Sequence, residues 1–216
     1  MKIHTFPQGS EQWEQIRKGK ATASRFKDIL APKTLKLSKS AENYAAELVA
    51  ERLEIESPQF APTYWMQYGM EAEDYAIAEF EHTNNLTVQR VGFVELNEHC
   101  GCSPDGLVGD TELIEVKCPK PETLIRYQIN GQLPDEYRLQ VQGSLWITGR
   151  THCHFYAWHP QIHPMHIVVG RDEEVIAALE SAIPAFLESV KVMQQCIQSR
   201  PASPEFQFVD TSEELV

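Results

Sequence analysis

Cys102-Ser103-Pro104-Asp105-Gly106 and, a short way on, Leu113-Ile114-Glu115-Val116-Lys117-Cys118 are the stretches whose reading decides how this chain folds. Pro, Asp and Gly in succession are turn chemistry. The second stretch reads as a short β-strand, and side chains alternate faces along a strand. Ile114 and Val116 then point into a core, while Glu115 and Lys117 share the opposite face. Asp105 arrives beside them from the turn. Two carboxylates and an ammonium gathered in this way suit a hard divalent cation, since Mg²⁺ prefers carboxylate oxygens and keeps several waters. The lysine can orient or activate one of those waters, or stabilise charge developing on a phosphate. Taken alone, each piece has an ordinary explanation. A Glu-x-Lys pair can be a solvated ion pair on a strand face, and Asp105 can be a turn former. The combination with motifs on both sides carries the argument.

A chain of 216 residues suits one sizeable domain with a real core. At 42% hydrophobic and 23% charged residues, the composition is that of an ordinary globular protein. No apolar run approaches the roughly eighteen residues of a membrane span. Met1-Lys2-Ile3-His4-Thr5-Phe6-Pro7 lacks the apolar core of a signal peptide. The expectation is a cytoplasmic protein with no membrane association. The five cysteines are odd in number and include no Cys-x-x-Cys pair, so a disulfide framework is not expected. Cys100-x-Cys102 beside His99 lacks zinc spacing and reads as buried free thiols. The net charge of −12 argues against a nonspecific nucleic-acid coat. It leaves room for a nuclease that confines positive potential to one groove.

Along the chain, residues 12–17 read as a short helix, and Thr22 can cap a second over residues 23–30. Ala31 to Leu37 reads as a mobile basic loop. Ser38 or Ser40 can cap a helix to about Leu53, and another helix runs from about Met70 to His82. Strands are expected over 88–96, 101–108 and 113–117. A helix follows from Pro134 to about Ile147, then strands over 152–158 and 166–169. Asp172 caps a long last helix, broken or kinked at Pro184. The Pro- and acid-rich tail, residues 201–216, is expected to be loosely ordered. This order gives an α+β type of α/β fold, a central mixed β-sheet flanked by helices. Residues 1–200 form its single domain.

Six motifs in order give this chain a resemblance to the lambda exonuclease family, the YqaJ-type viral recombinases of the PD-(D/E)xK nuclease superfamily. They are Gly9-Ser10-x-x-Trp13-x-x-x-Arg17, Thr22-Ala23-Ser24, Gly69-x-x-x-Glu73-x-x-Ala76, Cys102-Ser103-Pro104-Asp105-Gly106, Glu115-Val116-Lys117-Cys118-Pro119 and Gln140-Val141-Gln142-x-x-x-Trp146. They run over most of the chain, from about Gly9 to about Glu188. The resemblance implies a restriction-endonuclease-like fold and a Mg²⁺-dependent exonuclease, with Mn²⁺ able to substitute and two ions per active site. Such an enzyme degrades one strand of linear duplex DNA from a 5′ end, releasing mononucleotides and leaving a 3′ overhang for recombination by annealing. It also implies a homotrimeric ring, a single-strand annealing protein as partner, and a phage or prophage origin in a bacterial host cell.

Carried onto these residues, Asp105 and Glu115 resemble the family's central metal ligands, with the Val116 carbonyl as a third. Glu73 resembles the helix-borne acid that completes the set. Glu71 and Asp74 crowd the same helix, and Glu73 is chosen for its four-residue spacing from Gly69. Lys117 resembles the catalytic lysine. Arg17, Ser24 and Ser103 resemble the pocket for a terminal 5′ phosphate, where arginine can make two hydrogen bonds and hydroxyls add donors. Gln142 resembles the glutamine beside the scissile phosphate; it shares a helix face with Trp146, and Gln140 falls off that face. Trp65 and Met66 stand where the family carries an apolar strand-separating wedge, and a buried aromatic with a gap-filling methionine is the plain alternative. His152 and His154 alternate on one strand face but lack further metal ligands nearby.

Two rival readings remain open. One is a structure-specific or restriction-like endonuclease on the same fold; the cysteine spacing does not suit the related branch that carries an iron–sulfur cluster. The other is a non-catalytic module that binds DNA ends or a protein partner. The joint presence of Asp105, Glu115 and Lys117 argues against the second.

Overall fold

The computed structural model describes residues 1–55 and 63–200; the expected loose tail, residues 201–216, lies outside them. In chain order the elements are β1 (Lys2–His4), α1 (Glu11–Arg17), β2 (Ala21–Thr22), a 3₁₀ turn (Ala23–Arg25) leading into α2 (Phe26–Ile29), α3 (Ala41–Arg52) and α4 (Tyr64–Asn84). Then come β3 (Val88–Gln89), β4 (Phe93–Asn97), β5 (Cys100–Cys102), β6 (Gly106–Val108), β7 (Glu112–Lys117), α5 (Pro121–Asn130), α6 (Asp135–Thr148), β8 (His152–His159), β9 (Ile162–Gly170) and α7 (Glu173–Gln198).

The strands form two sheets rather than one. Their orders are β1-β4-β5-β2 and β3-β6-β7-β8-β9. The strand expected over 88–96 divides at Gly92, and the one expected over 101–108 divides at Ser103-Pro104-Asp105. At each break the chain steps from one sheet to the other. Gly92 donates its N–H to the His4 carbonyl at 2.8 Å, and a Cβ there would lie 2.2 Å from the Phe6 carbonyl oxygen. Only glycine fits that close approach. The second step has the larger consequence, because it delivers Asp105 to the end of β6.

The five-stranded sheet is covered on both faces. Ile114 and Val116 pack with Ala76, Ile77 and Phe80 of α4. Leu113, on the other face, joins Leu139 and Leu145 of α6 and the α7 residues Val175, Leu179 and Ile183 in the larger core. Glu115 and Lys117 share that second face. It is therefore not a solvent face, and Glu115 is only 1% exposed. The parallel pairing of β7 with β8 requires a crossover, which α5 and α6 supply.

Several boundaries differ from expectation. α4 begins at Tyr64 rather than near Met70. Thr22 makes no side-chain cap bond, and its hydroxyl pairs with Ser24 instead. Asp172 does cap α7, accepting from the Val175 N–H, and α7 continues unbroken through Pro184. The basic loop is anchored: Leu30 and Leu37 form a bridge, Arg138 donates to the Pro32 carbonyl at 2.9 Å, and Lys33 pairs with Asp135 at 3.1 Å.

Candidate active site

Asp105 sits at the step between the sheets, 7% exposed. Its Oδ2 accepts the Val116 N–H at 2.6 Å. β6 pairs with β7 only as far as Gly106 opposite Ile114, so Asp105 takes over where the ladder ends. On the other face of β7, Glu115 Oε1 accepts from both the Lys117 ammonium and the Gln140 side-chain amide. Its Oε2 is buried with no hydrogen-bond partner. An ionised oxygen left bare in this way is costly, and a bound cation would satisfy it.

Glu73 reaches this group from α4. Its Oε1 accepts from Arg90 at 2.7 Å. Burial and then the charge of Asp105 push Glu73 up to about 7, against the pull of Arg90. Burial likewise pushes Glu115 up to about 7, offset in part by Lys117 and raised further by Asp105. Asp105 is raised by burial too, with Lys117 and the Val116 N–H acting the other way. Burial would lower Lys117, but Glu115 and Asp105 outweigh it and hold the ammonium well above its ordinary value. Three carboxylates thus repel one another around two cations, Lys117 and Arg90. Among the described residues no trio of His, Cys, Asp or Glu is already gathered at metal-ligand positions. The bare Oε2 and the mutual repulsion nevertheless fit a divalent cation held by oxygen ligands.

A second cluster lies at the far end of the same turn. Ser103 Oγ accepts from Arg17 Nη1 and from Trp13 Nε1, each at 2.9 Å. The Arg17 guanidinium lies 4.2 Å from the centroid of the Trp13 ring, and burial lowers its pKa. Arg17 takes part in none of the ion pairs found among the described residues. β2 runs parallel to β5, Thr22 opposite Gly101, so Ser24 follows β2 at the end from which Ser103 leaves β5. Both lone pairs of Ser103 are engaged, which leaves its O–H free to donate. A cation without a carboxylate partner beside a hydroxyl whose proton is free to donate suits an anion.

Two expectations are corrected. Gln142 does not approach the carboxylates: it donates to the Gly170 carbonyl at 2.9 Å and accepts the Asp172 N–H at 2.8 Å, tying α6 to the start of α7. Gln140, expected off the working face, is the glutamine that meets Glu115. The shared face of Gln142 and Trp146 points into the core, where Trp146 packs on Phe26. Trp65 is not buried; it is 39% exposed and sits among Tyr64, Tyr68 and the Lys120 ammonium. The Met66 side chain lies outside the described residues. His152 and His154 do not act together. His154 is buried between Glu112 and His166, whereas His152 is exposed and meets Thr151. Cys100 and Cys102 are buried free thiols.

The fold is that of the PD-(D/E)xK-like exonucleases. An alkaline exonuclease (LHK-Exo) from Laribacter hongkongensis superposes with a TM-score of 0.80 at 33% identity, over 88% of this chain and 96% of that one. The same protein in complex with dAMP superposes at 0.79, with the same identity and coverage. A phage-related exonuclease from Haemophilus somnus superposes at 0.63 and 19% identity, over 83% of this chain and 95% of that one, a likeness of fold alone. No curated protein sequence matches. Residues 12–151 match the YqaJ-like viral recombinase domain. The chain belongs to that family.

Proposed function

We propose that this chain is a divalent-metal-dependent exonuclease that removes mononucleotides from the 5′ end of one strand of linear duplex DNA. One observation carries the reading: the buried, unpartnered Glu115 Oε2, on the strand face that also carries Lys117. Glu73, Asp105, Glu115 and the Val116 carbonyl would hold Mg²⁺, with Mn²⁺ able to substitute and two ions expected. In a strand, a residue's N–H and C=O leave on the same edge, so the Val116 carbonyl faces the side on which Asp105 receives its N–H. When bound, the ion supplies Lewis-acid polarisation of the phosphodiester and an acidified water. Lys117 orients the attacking water and stabilises charge on the phosphate, and Gln140 fixes the Glu115 oxygen that Lys117 also holds.

Arg17, Ser103 and Ser24 receive the terminal 5′ phosphate and so set the one-nucleotide step. The dAMP bound by the Laribacter homologue supports a mononucleotide product. Charge distribution supports a DNA substrate. Residues 17–39 carry eight of the nineteen Lys and Arg against one acid, Asp28, in a chain of net charge −12. Family membership supports a homotrimeric ring, a single-strand annealing protein as partner in phage-type recombination, and action in the cytoplasm of a bacterial host. None of the helices among the described residues is long and apolar enough to cross a membrane. The proposed nuclease domain spans residues 1–200.

The test is digestion of end-labelled linear duplex with Mg²⁺ or EDTA, comparing 5′-phosphate with 5′-hydroxyl ends and including a closed circle. Mononucleotides released only from linear DNA, faster from phosphorylated ends, are expected. Cutting of the circle would point to an endonuclease. Inactivity with every divalent metal would leave a DNA-end-binding module.

A further inference from the structure

We infer that Tyr137 is the positioning residue for Lys117, presenting its ring face to the ammonium so that the remaining N–H groups aim at the reacting phosphate. The inference rests on the nuclease reading and adds a residue to it. The Lys117 ammonium lies 5.3 Å from the centroid of the Tyr137 ring. The same ammonium is ion-paired with Glu115 Oε1. The arrangement follows from how a helix meets a strand. Tyr137 and Gln140 are three apart on α6, and such side chains sit about 5–6 Å apart on one helix face. Lys117 and Glu115 are two apart on β7, about 6.6 Å on one strand face. The spacings nearly coincide, so the pair on α6 covers the pair on β7: Tyr137 lies over Lys117, and Gln140 bonds Glu115.

The Tyr137 ring is itself fixed. Tyr127 of α5 packs nearly perpendicular to it at 6.3 Å between centroids, and Phe155 of β8 packs at 5.2 Å. Two aromatic rings from two further elements therefore hold the Tyr137 face toward the lysine. An ammonium over an aromatic face is attracted by the ring quadrupole, the more so when shielded from water. The ring offers no acceptor that would compete for the lysine N–H groups in the way a second carboxylate would.

The experiment compares full-length wild type with Tyr137→Phe and Tyr137→Leu in steady-state digestion of 5′-phosphorylated duplex. Tyr137→Phe keeps the ring and should hold kcat within about twofold, whereas Tyr137→Leu should lower kcat about tenfold with KM unchanged. A graded series then separates ring electronics from packing. The phenylalanine introduced at 137 is fluorinated stepwise, which weakens the quadrupole with little change of shape, and kcat should fall with each step. This series decides the matter even if Tyr137→Leu does not fold. A kcat independent of fluorination, or a folded Tyr137→Leu with wild-type kcat, overturns the role of Tyr137 alone. A wild type that hydrolyses no DNA overturns the nuclease reading and this inference with it.

Discussion

Asp105 receives the backbone N–H of Val116 at 2.6 Å, at the point where β6 stops pairing with β7. A carboxylate thus replaces a strand, and the motif Ser-Pro-Asp-Gly becomes the end of a ladder as well as a turn. An amide oxygen at the same position would still accept that N–H. Asp105→Asn should therefore retain the fold, with a thermal midpoint close to wild type, while hydrolysis falls at least about a hundredfold through lost charge. A near-wild-type rate in the folded variant would remove Asp105 from the metal site.

Gln140 and Gln142 separate function from stability. Gln140→Leu should lower kcat about tenfold, because the Glu115 oxygen it holds loses a donor. Gln142→Leu strips partners from the Gly170 carbonyl and the Asp172 N–H, and should cost about 1–3 kcal/mol of stability with kcat per folded molecule unchanged. Denaturant melts and active-site-normalised kinetics on both variants check this, and the reverse pattern would restore Gln142 to the site.

Glu73 links pH to stability. Its folded pKa, about 7, lies above its ordinary value because of burial and the neighbouring Asp105. A raised carboxyl pKa gives stability that is complete below about pH 4.5 and is lost as pH rises through about 7. In EDTA, the wild type should lose thermal stability relative to Glu73→Gln between pH 5 and 8. Added Mg²⁺ should restore more at pH 8 than at pH 5. Parallel melting curves for the two proteins across this range would contradict the assignment.

Under the proposed function, Arg17 governs the choice of DNA end. A charge-assisted hydrogen bond to phosphate contributes about 1.5–3 kcal/mol, so Arg17→Ala should reduce the preference for 5′-phosphate over 5′-hydroxyl ends at least about tenfold. Competition between the two ends in one reaction measures it directly. Undiminished preference would place the pocket elsewhere.

The basic segment should reveal itself in salt dependence. Exposed Lys33 and Lys36 flank the anchored loop beside α6. Replacing both with alanine should weaken duplex binding and make the slope of log K against log salt shallower by about one for each phosphate no longer neutralised. A slope that does not change would mean that the loop does not touch the backbone.

Much of this protein could be read from residue order. Alternation over Leu113–Lys117 placed Glu115 and Lys117 on one strand face, and the structure has them there. β8, expected over 152–158 and found over His152–His159, and the cap of α7 at Asp172 were also legible, because long strands and capped helices leave periodic or positional signals; of β9, Ile162–Gly170, only residues 166–169 were expected. β1 and β2 were missed; at three and two residues they are too short to alternate. α5 was missed although Pro121 opens it and Gly131, with φ of 61°, closes it, a signal of helix start and stop that goes unnoticed beside the motif preceding it.

The sequence by itself determined the chemical groups: which carboxylates, which lysine, which arginine and serines, and the spacing that sets them on strand, turn and helix. Only the tertiary structure decided which of them meet. Strand 88–96 divided because Gly92 must pass against Phe6. Gln140 rather than Gln142 reached Glu115, because the direction of a helix face depends on what the helix packs against, and Phe26 draws the Trp146 side of α6 inward. Local alternation and capping are short-range effects encoded in neighbouring residues. The approach of α6 to β7 is set by burial of side chains far apart in the chain, and no local pattern records it.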